Sequence, residues 1–175
     1  MNLLLLAGNG QHNKEWIYKV KDVLSPLFAT LHVHEYAHWD SDEAFIDFDK
    51  EYATVEEETT KLGQYVIFAK SVGTILTLKG INEGVLHPTK CIFVGLPLTM
   101  TAEENSKIKA WLQASNVPIL FVQNTDDPLG SFDQVKAFVK STGVVNCHIV
   151  NLPGDSHSYD DFQKLRALIE SFLES

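Results

Sequence analysis

Short apolar runs alternate with longer segments of helical periodicity along the whole chain. Six runs, mostly rich in Val, Ile, Leu and Phe, have the composition of strands buried in a parallel sheet. They cover residues 2–7, 30–34, 65–69, 90–94, 118–123 and 145–151. Strands that alternate with helices are typical of a parallel sheet covered on both faces. The pattern therefore predicts an α/β fold, a three-layer α/β/α sandwich with a parallel sheet of about six strands.

Segments between these runs carry apolar residues at helical spacing. One stripe comprises Trp16, Ile17, Val20, Val23 and Leu24, and the next comprises Phe45, Phe48, Tyr52 and Val55. A third comprises Phe162, Leu165, Ile169, Phe172 and Leu173, which predicts a last helix that docks on the sheet. Two capping-box pairs, Thr101 with Glu104 and Ser131 with Gln134, predict two further helix starts.

The length and composition fit one domain with its own core. The chain has 175 residues, of which 45% are hydrophobic, enough to bury a sizeable core. Repeats, low-complexity tracts and Pro-rich or Gly-rich linkers are absent from the sequence. We expect residues 1–175 to form a single domain.

The charge of the chain argues against polyanionic partners. Its formal net charge is −9, and no cluster of Lys and Arg is visible, so we expect it to bind neither nucleic acid nor membrane surfaces. The apolar start, residues 1–7, is short and lacks a basic flank, so we interpret it as the first strand rather than a signal peptide. Cys91 and Cys147 each fall in an apolar run, as expected of reduced core thiols. A cytoplasmic location is the default expectation.

The third apolar run leads into a candidate nucleophile elbow. Residues 69–73 read Ala-Lys-Ser-Val-Gly, and an apolar helical segment follows them. A tight strand-to-helix turn needs small residues two before and two after the nucleophile, and Ala69 and Gly73 supply them. The turn would lift the Ser71 hydroxyl above the sheet at the N-terminus of a helix, where developing negative charge is stabilised. The alternative is that Ser71 only caps that helix.

A serine hydroxyl needs a base, and the base needs an acid that orients it. The loop after the fifth run contains Asp126 and Asp127, and the loop after the sixth contains His157. The chain order serine, acid, histidine is that of the α/β-hydrolases, so we expect Ser71, Asp127 and His157 to form a catalytic triad. Asp127 is preferred because Pro128 follows it, and Asp126 remains the alternative acid. A plain surface turn would also explain the acidic loop.

The first strand ends in Ala7-Gly8-Asn9-Gly10, where many α/β-hydrolases have a His-Gly-x-Gly stretch that lines the oxyanion hole. The backbone N–H groups of Val72 and Asn9 are the expected donors, with Gly8 and Gly10 beside them, although the second donor is open. Almost the whole chain thus resembles the α/β-hydrolase superfamily, and its small form without a lid is similar to serine hydrolases related to retinoblastoma-binding protein 9.

That resemblance implies the strand order 2-1-3-4-5-6 and hydrolysis through an acyl-enzyme, with no metal and no organic cofactor. The sequence departs from the pattern at three positions, Ala7 for His, Ala69 for Gly, and Lys70 within the elbow. These departures bear on efficiency and substrate more than on the fold.

Two other kinds of site are weaker hypotheses. His32, His34 and His38 suggest a metal cluster, but no carboxylate or thiol in the sequence clearly completes it. Gly8 and Gly10 match half of a dinucleotide fingerprint, but Asn13 stands where its third glycine belongs, so a flavodoxin-like nucleotide binder is a minor alternative. Trp39, in the loop after the second strand, is a candidate pocket residue.

The sequence therefore predicts a serine hydrolase of the carboxylesterase type that cleaves a small ester, thioester or amide. The fourth run, residues 90–94, is followed by no insertion long enough for a lid, which favours small or exposed acyl substrates. The alternative is a catalytically silent binding or scaffold protein with the same fold. The sequence does not define the oligomeric state.

Overall fold

The computed structural model describes residues 1–175 and contains one six-stranded parallel sheet. The strands are β1 (Asn2–Leu6), β2 (Thr30–Val33), β3 (Tyr65–Lys70), β4 (Cys91–Val94), β5 (Ile119–Asn124) and β6 (Cys147–Leu152). Their order across the sheet is β2-β1-β3-β4-β5-β6, and every neighbouring pair is parallel. All six predicted strands are confirmed with bounds shifted by one or two residues, as is the order implied by the resemblance.

Six helices cover the sheet. They are α1 (Asn13–Leu24), α2 (Phe48–Leu62), α3 (Val72–Asn82), α4 (Ala102–Ala114), α5 (Phe132–Thr142) and α6 (Phe162–Glu174). The first and last, α1 and α6, contact each other, whereas α3 contacts α4 and α4 contacts α5. The Tyr52 hydroxyl on α2 donates to the Leu76 carbonyl on α3, which joins α2 to that second group. The predicted three-layer sandwich is confirmed.

The sheet carries the centre of one hydrophobic core of 42 buried residues. β1, β3, β4 and β5 are almost completely buried, as expected of central parallel strands, whereas β2 and β6 at the two edges are only partly covered. Both predicted capping boxes form, at Thr101 and at Ser131. The last helix docks through Leu165, Ile169 and Phe172, all buried.

Two local expectations are wrong in detail. Phe45 precedes α2 and is 78% exposed, because Asp47 caps the helix by accepting hydrogen bonds from the backbone N–H groups of Asp49 and Lys50. Cys147 is only partly buried because β6 is an edge strand, whereas Cys91 is fully buried, and both thiols are free. Within the described chain, no helix is long and apolar enough to cross a membrane.

Candidate active site

Ser71 occupies a strained turn between β3 and α3. Its backbone has φ 53° and ψ −122°, in the positive-φ region that residues other than glycine rarely adopt. The side chain stands at the N-cap position but makes no capping hydrogen bond. The alternative of a simple helix cap therefore has no contact to support it, and the hydroxyl is free for another role.

The turn depends on the small residues that flank it. A Cβ atom added at Gly73 would lie 2.7 Å from the carbonyl oxygen of Ala7 and 2.9 Å from that of Leu6. Both are backbone atoms of the neighbouring β1 segment and have little room to move. Helix α3 can approach β1 this closely only because residue 73 is glycine, while Ala69 on β3 is fully buried.

Asp127 and His157 meet at the carboxyl ends of β5 and β6. The Nδ1 atom of His157 lies 2.7 Å from Oδ2 of Asp127, although 30 residues separate them along the chain. The Asp127 side chain is fully buried, and that of His157 is 20% exposed. Asp126, the alternative acid, is exposed and makes no contact with His157, because its backbone N–H is bonded to Gly154 and the next residue turns inward.

The Asp127 carboxylate accepts hydrogen bonds from two further groups besides His157. The Tyr159 hydroxyl donates to the same Oδ2 atom at 2.6 Å, and the Leu129 N–H donates to Oδ1 at 2.8 Å. Burial by itself would raise the pKa of Asp127, but the hydrogen bonds from His157, Tyr159 and Leu129 lower the pKa below its usual value. The carboxylate is therefore ionised at neutral pH. Sequence patterns gave no signal for Tyr159.

The second ring nitrogen of His157 is free. Nε2 has no hydrogen-bond partner in the protein, and Ser71 and His157 both line one cavity of about 400 Å³. Gly95 packs against the ring, since a Cβ atom there would lie 2.9 Å from Cε1 of His157. The Ser71 hydroxyl and Nε2 are not hydrogen bonded to each other in this structure.

Asn9 is fixed by four hydrogen bonds. Its carbonyl accepts from His38 Nε2 at 2.7 Å and from Trp39 Nε1 at 2.8 Å. Its side chain donates to the Ala44 carbonyl and accepts from the Ile46 N–H, each at 2.9 Å. Trp39 does not line the cavity, contrary to expectation, and instead supports Asn9 from behind. His38 does the same, so its nitrogen serves a backbone carbonyl rather than a metal cluster.

The proposed oxyanion donors are available. The backbone N–H groups of Asn9, Gly10 and Val72 donate to no acceptor within the chain. Asn9 and Gly10 line the cavity with Ser71, whereas Gly8 and Val72 are not among its lining residues. The structure therefore leaves both Asn9 and Gly10 as candidates for the second donor.

Most residues that line the cavity are of polar type. Of its ten lining residues only Trp16 is hydrophobic. Lys70, the unusual residue of the elbow, lines the cavity beside Ser71 and is 4% exposed. The cavity thus contains one buried cationic side chain next to Ser71 in the sequence.

A second buried histidine lies away from this cavity. His34, the residue directly after β2, places Nε2 2.9 Å from Glu51 and Nδ1 2.8 Å from Glu58, both on α2. From the sequence, no carboxylate partner was expected for the histidines of this region. That expectation is wrong, because α2 turns Glu51 and Glu58 toward β2. Both ring nitrogens of His34 are thereby occupied.

The backbone is similar to those of solved hydrolase structures. The esterase Pf2001 from Pyrococcus furiosus superposes with a TM-score of 0.76 and 11% identity, covering 99% of this chain and 80% of its own. Est1E from Butyrivibrio proteoclasticus, solved with ferulic acid bound, gives a TM-score of 0.72 and 15% identity over 99% and 88% of the two chains. Mouse α/β hydrolase domain-containing protein 10 gives a TM-score of 0.72 and 12% identity over 99% and 89%.

At these identities the likeness shows the α/β-hydrolase fold alone. No protein-family model matches the sequence, and no curated protein is similar to it in sequence. The narrower resemblance to the retinoblastoma-binding protein 9 relatives is not confirmed and stays a prediction.

Proposed function

We propose that this protein is a serine hydrolase that cleaves a small carboxylic ester or thioester, with amides as less favoured substrates. One observation carries the proposal. His157 is bonded through Nδ1 to the buried Asp127 and keeps Nε2 free at the cavity that Ser71 also lines. A histidine that an acid orients, at the same cavity as a serine hydroxyl, has the partners needed to activate that serine for acyl transfer.

In the acylation step, Nε2 of His157 takes the proton of the Ser71 hydroxyl as Oγ attacks the carbonyl carbon. The carbonyl oxygen becomes an oxyanion and accepts hydrogen bonds from the N–H groups of Val72 and of Asn9 or Gly10. Asp127 keeps the proton of His157 on Nδ1 and stabilises the imidazolium that forms. As the tetrahedral intermediate collapses, His157 protonates the leaving alcohol and Ser71 carries the acyl group.

Deacylation repeats these roles with water. His157 removes a proton from a water molecule, the hydroxide attacks the acyl carbon, and the proton returns to Ser71 Oγ as the ester bond to the serine breaks. No redox change occurs in either half, and one water is consumed for each acid and alcohol released. Esters are favoured because an alkoxide leaves more readily than an amide nitrogen. Pf2001, which shares the fold, is named as an esterase.

Fluorophosphonate labelling followed by intact-mass measurement tests the proposal. The native protein is expected to gain a single adduct, and Ser71→Ala is expected to gain none. Ser158→Ala is the matched control, because Ser158 is an exposed serine of the same cavity, next to His157. Its labelling should equal that of the native protein.

Absence of an adduct on folded native protein, or an adduct retained by Ser71→Ala, would overturn the proposal. The first result would leave the alternative of a binding or scaffold protein. A nucleotide that co-purifies and occupies the Gly8–Gly10 loop would instead support the nucleotide-binding alternative.

A further inference from the structure

Lys70 is the one buried cationic side chain among the lysines and the arginine of the chain. It is 4% exposed, and no carboxylate lies within ion-pair distance of its Nζ atom, although other lysines of the protein form such pairs. Burying a charge without a counterion is costly unless something else compensates it. The position of Lys70 therefore requires an explanation.

The protein satisfies this ammonium only in part. Nζ donates one hydrogen bond, to Oδ1 of Asn13 at 2.7 Å, and lies 4.7 Å above the ring of Trp16. An ammonium has three N–H donors, so two are left without a protein acceptor. Both Asn13 and Trp16 line the cavity with Lys70, so a molecule bound there can reach this group.

The charge state of Lys70 fits the binding of an anion. Burial lowers the pKa of Lys70 to about 8, and the carboxylates of Asp160 and Asp127, which lie beyond ion-pair distance, oppose that effect only in part. The ammonium is therefore the main form at pH 7. A carboxylate bound against Nζ would raise this pKa again and remove the cost of the buried charge.

We propose that Lys70 binds a carboxylate on the acyl part of the substrate, so that the preferred substrates are monoesters of short dicarboxylic acids. The leaving group must lie beside His157, which protonates it, and this leaves the wall formed by β3 and α1 for the acyl group. The inference rests on the proposed function and names its substrate class. Lys70 precedes Ser71 directly, which suits a carboxylate only a few bonds from the scissile carbonyl.

A purely structural role for Lys70 makes a different prediction. Asn13, which accepts from Lys70, also donates through Nδ2 to the Gly10 carbonyl at 3.0 Å. Through these two hydrogen bonds, Lys70 would position Gly10 and the loop that carries the proposed oxyanion donors. Its loss would then slow charged and neutral esters by the same factor.

The test compares two substrates that differ in charge but hardly in shape, monoethyl succinate and ethyl succinamate. We expect native protein to favour the charged ester by about tenfold in kcat/KM, the ratio that one charge-assisted hydrogen bond supplies. Lys70→Met should lose this preference. Lys19→Met is the matched control, since it removes the same charge from an exposed lysine paired with Glu15, and it should keep the preference. Differences in intrinsic reactivity cancel when variants are compared.

The outcomes separate this inference from the proposed function. Native protein that gains the fluorophosphonate adduct but shows no preference, or a preference unchanged in Lys70→Met, overturns the inference alone. Equal loss on both esters in Lys70→Met assigns Lys70 the structural role and also overturns it. If neither labelling nor turnover occurs, the proposed function fails and the inference with it. Should Lys70→Met not fold, succinate must still slow labelling of native protein more than succinamate does, and failure to do so refutes the inference.

Discussion

The molecule contains two buried histidine–carboxylate clusters that differ in what they leave free. At the carboxyl ends of β5 and β6, His157 binds Asp127 through Nδ1 and keeps Nε2 unpaired at a cavity. Between β2 and α2, His34 binds Glu58 through Nδ1 and Glu51 through Nε2. The first histidine can pass a proton to a substrate, whereas the second can only hold two carboxylates together.

Local electrostatics reinforce this difference. Burial alone would lower the pKa of His34, but the hydrogen bonds that its ring donates to Glu51 and Glu58 raise the pKa to about 8, so the ring is cationic at neutral pH. A cation with both nitrogens occupied is an ion-pair centre that joins β2 to α2. The comparison teaches that contact with a carboxylate does not by itself mark a catalytic histidine. A free nitrogen at an accessible cavity is what the proposed chemistry requires.

Among these predictions, Asp127→Asn should have the largest effect, and the quantity it changes is the catalytic activity. The asparagine cannot hold the His157 tautomer with its proton on Nδ1, so we expect kcat to fall by about 10³- to 10⁴-fold. Ester hydrolysis by the purified protein measures this loss, and Asp126→Asn is the matched control at the adjacent, exposed position. A larger loss from Asp126→Asn than from Asp127→Asn would assign the acid to Asp126 instead.

His34→Leu should act on stability instead of activity. It removes the cation between Glu51 and Glu58, whose side chains are 3% and 18% exposed, and leaves Glu51 with only the Ala37 N–H and Glu58 with only His32 as partners. We expect the free energy of unfolding in urea to fall by about 3 kcal/mol. His87→Leu, at an exposed histidine, should change it by less than about 0.5 kcal/mol. Slower fluorophosphonate labelling of folded His34→Leu would contradict the separation of the two clusters.

The smallest of the predicted effects is the change in stability with pH as His34 titrates. Because the pKa of His34 is raised in the folded state, its contribution is fully present below about pH 6.5 and is lost as pH rises through about 8. The loss should reach about 2 kcal/mol in the free energy of unfolding. Glu51→Gln removes one of the two charges that raise this pKa. The free energy of unfolding of this variant should therefore change less between pH 6 and 8.5 than that of the native protein.

Glu57→Gln is the control for that measurement, because Glu57 is an exposed residue of the same helix paired with Lys61. Its stability should follow the native pH profile. A native profile as flat as that of Glu51→Gln would show that His34 is not the titrating group.

Strand positions were predictable because hydrophobic runs and helical stripes are local properties of the chain. The exact ends of the strands were not predictable, because hydrogen-bonded pairing with the adjacent strands decides where each strand begins and ends. β3 extends to Lys70 because that residue pairs with Val94, and β5 extends to Asn124 because that residue pairs with Leu152. β4 begins one residue later than predicted for the same reason, since Cys91 is the first residue paired on both sides.

The residues of the proposed site that follow strand ends could be predicted from their order along the chain. Ser71, Asp127 and His157 follow the strands whose carboxyl ends lie along one edge of the sheet, so the order of the elements indicated all three. Their supporting residues gave no such signal. Tyr159 on Asp127, and His38 and Trp39 on Asn9, act through contacts made only after the loops fold together.

By itself, the sequence determined the alternation of strands and helices, the class of fold and the three candidate catalytic residues, because each depends on neighbours along the chain. Only the tertiary structure decided which polar groups are paired and which are free. It occupied both nitrogens of His34, left Nε2 of His157 without a partner, and buried Lys70 without a counterion. The physical reason is that the partners of a buried polar side chain come from segments far apart in sequence, and no local pattern records their approach.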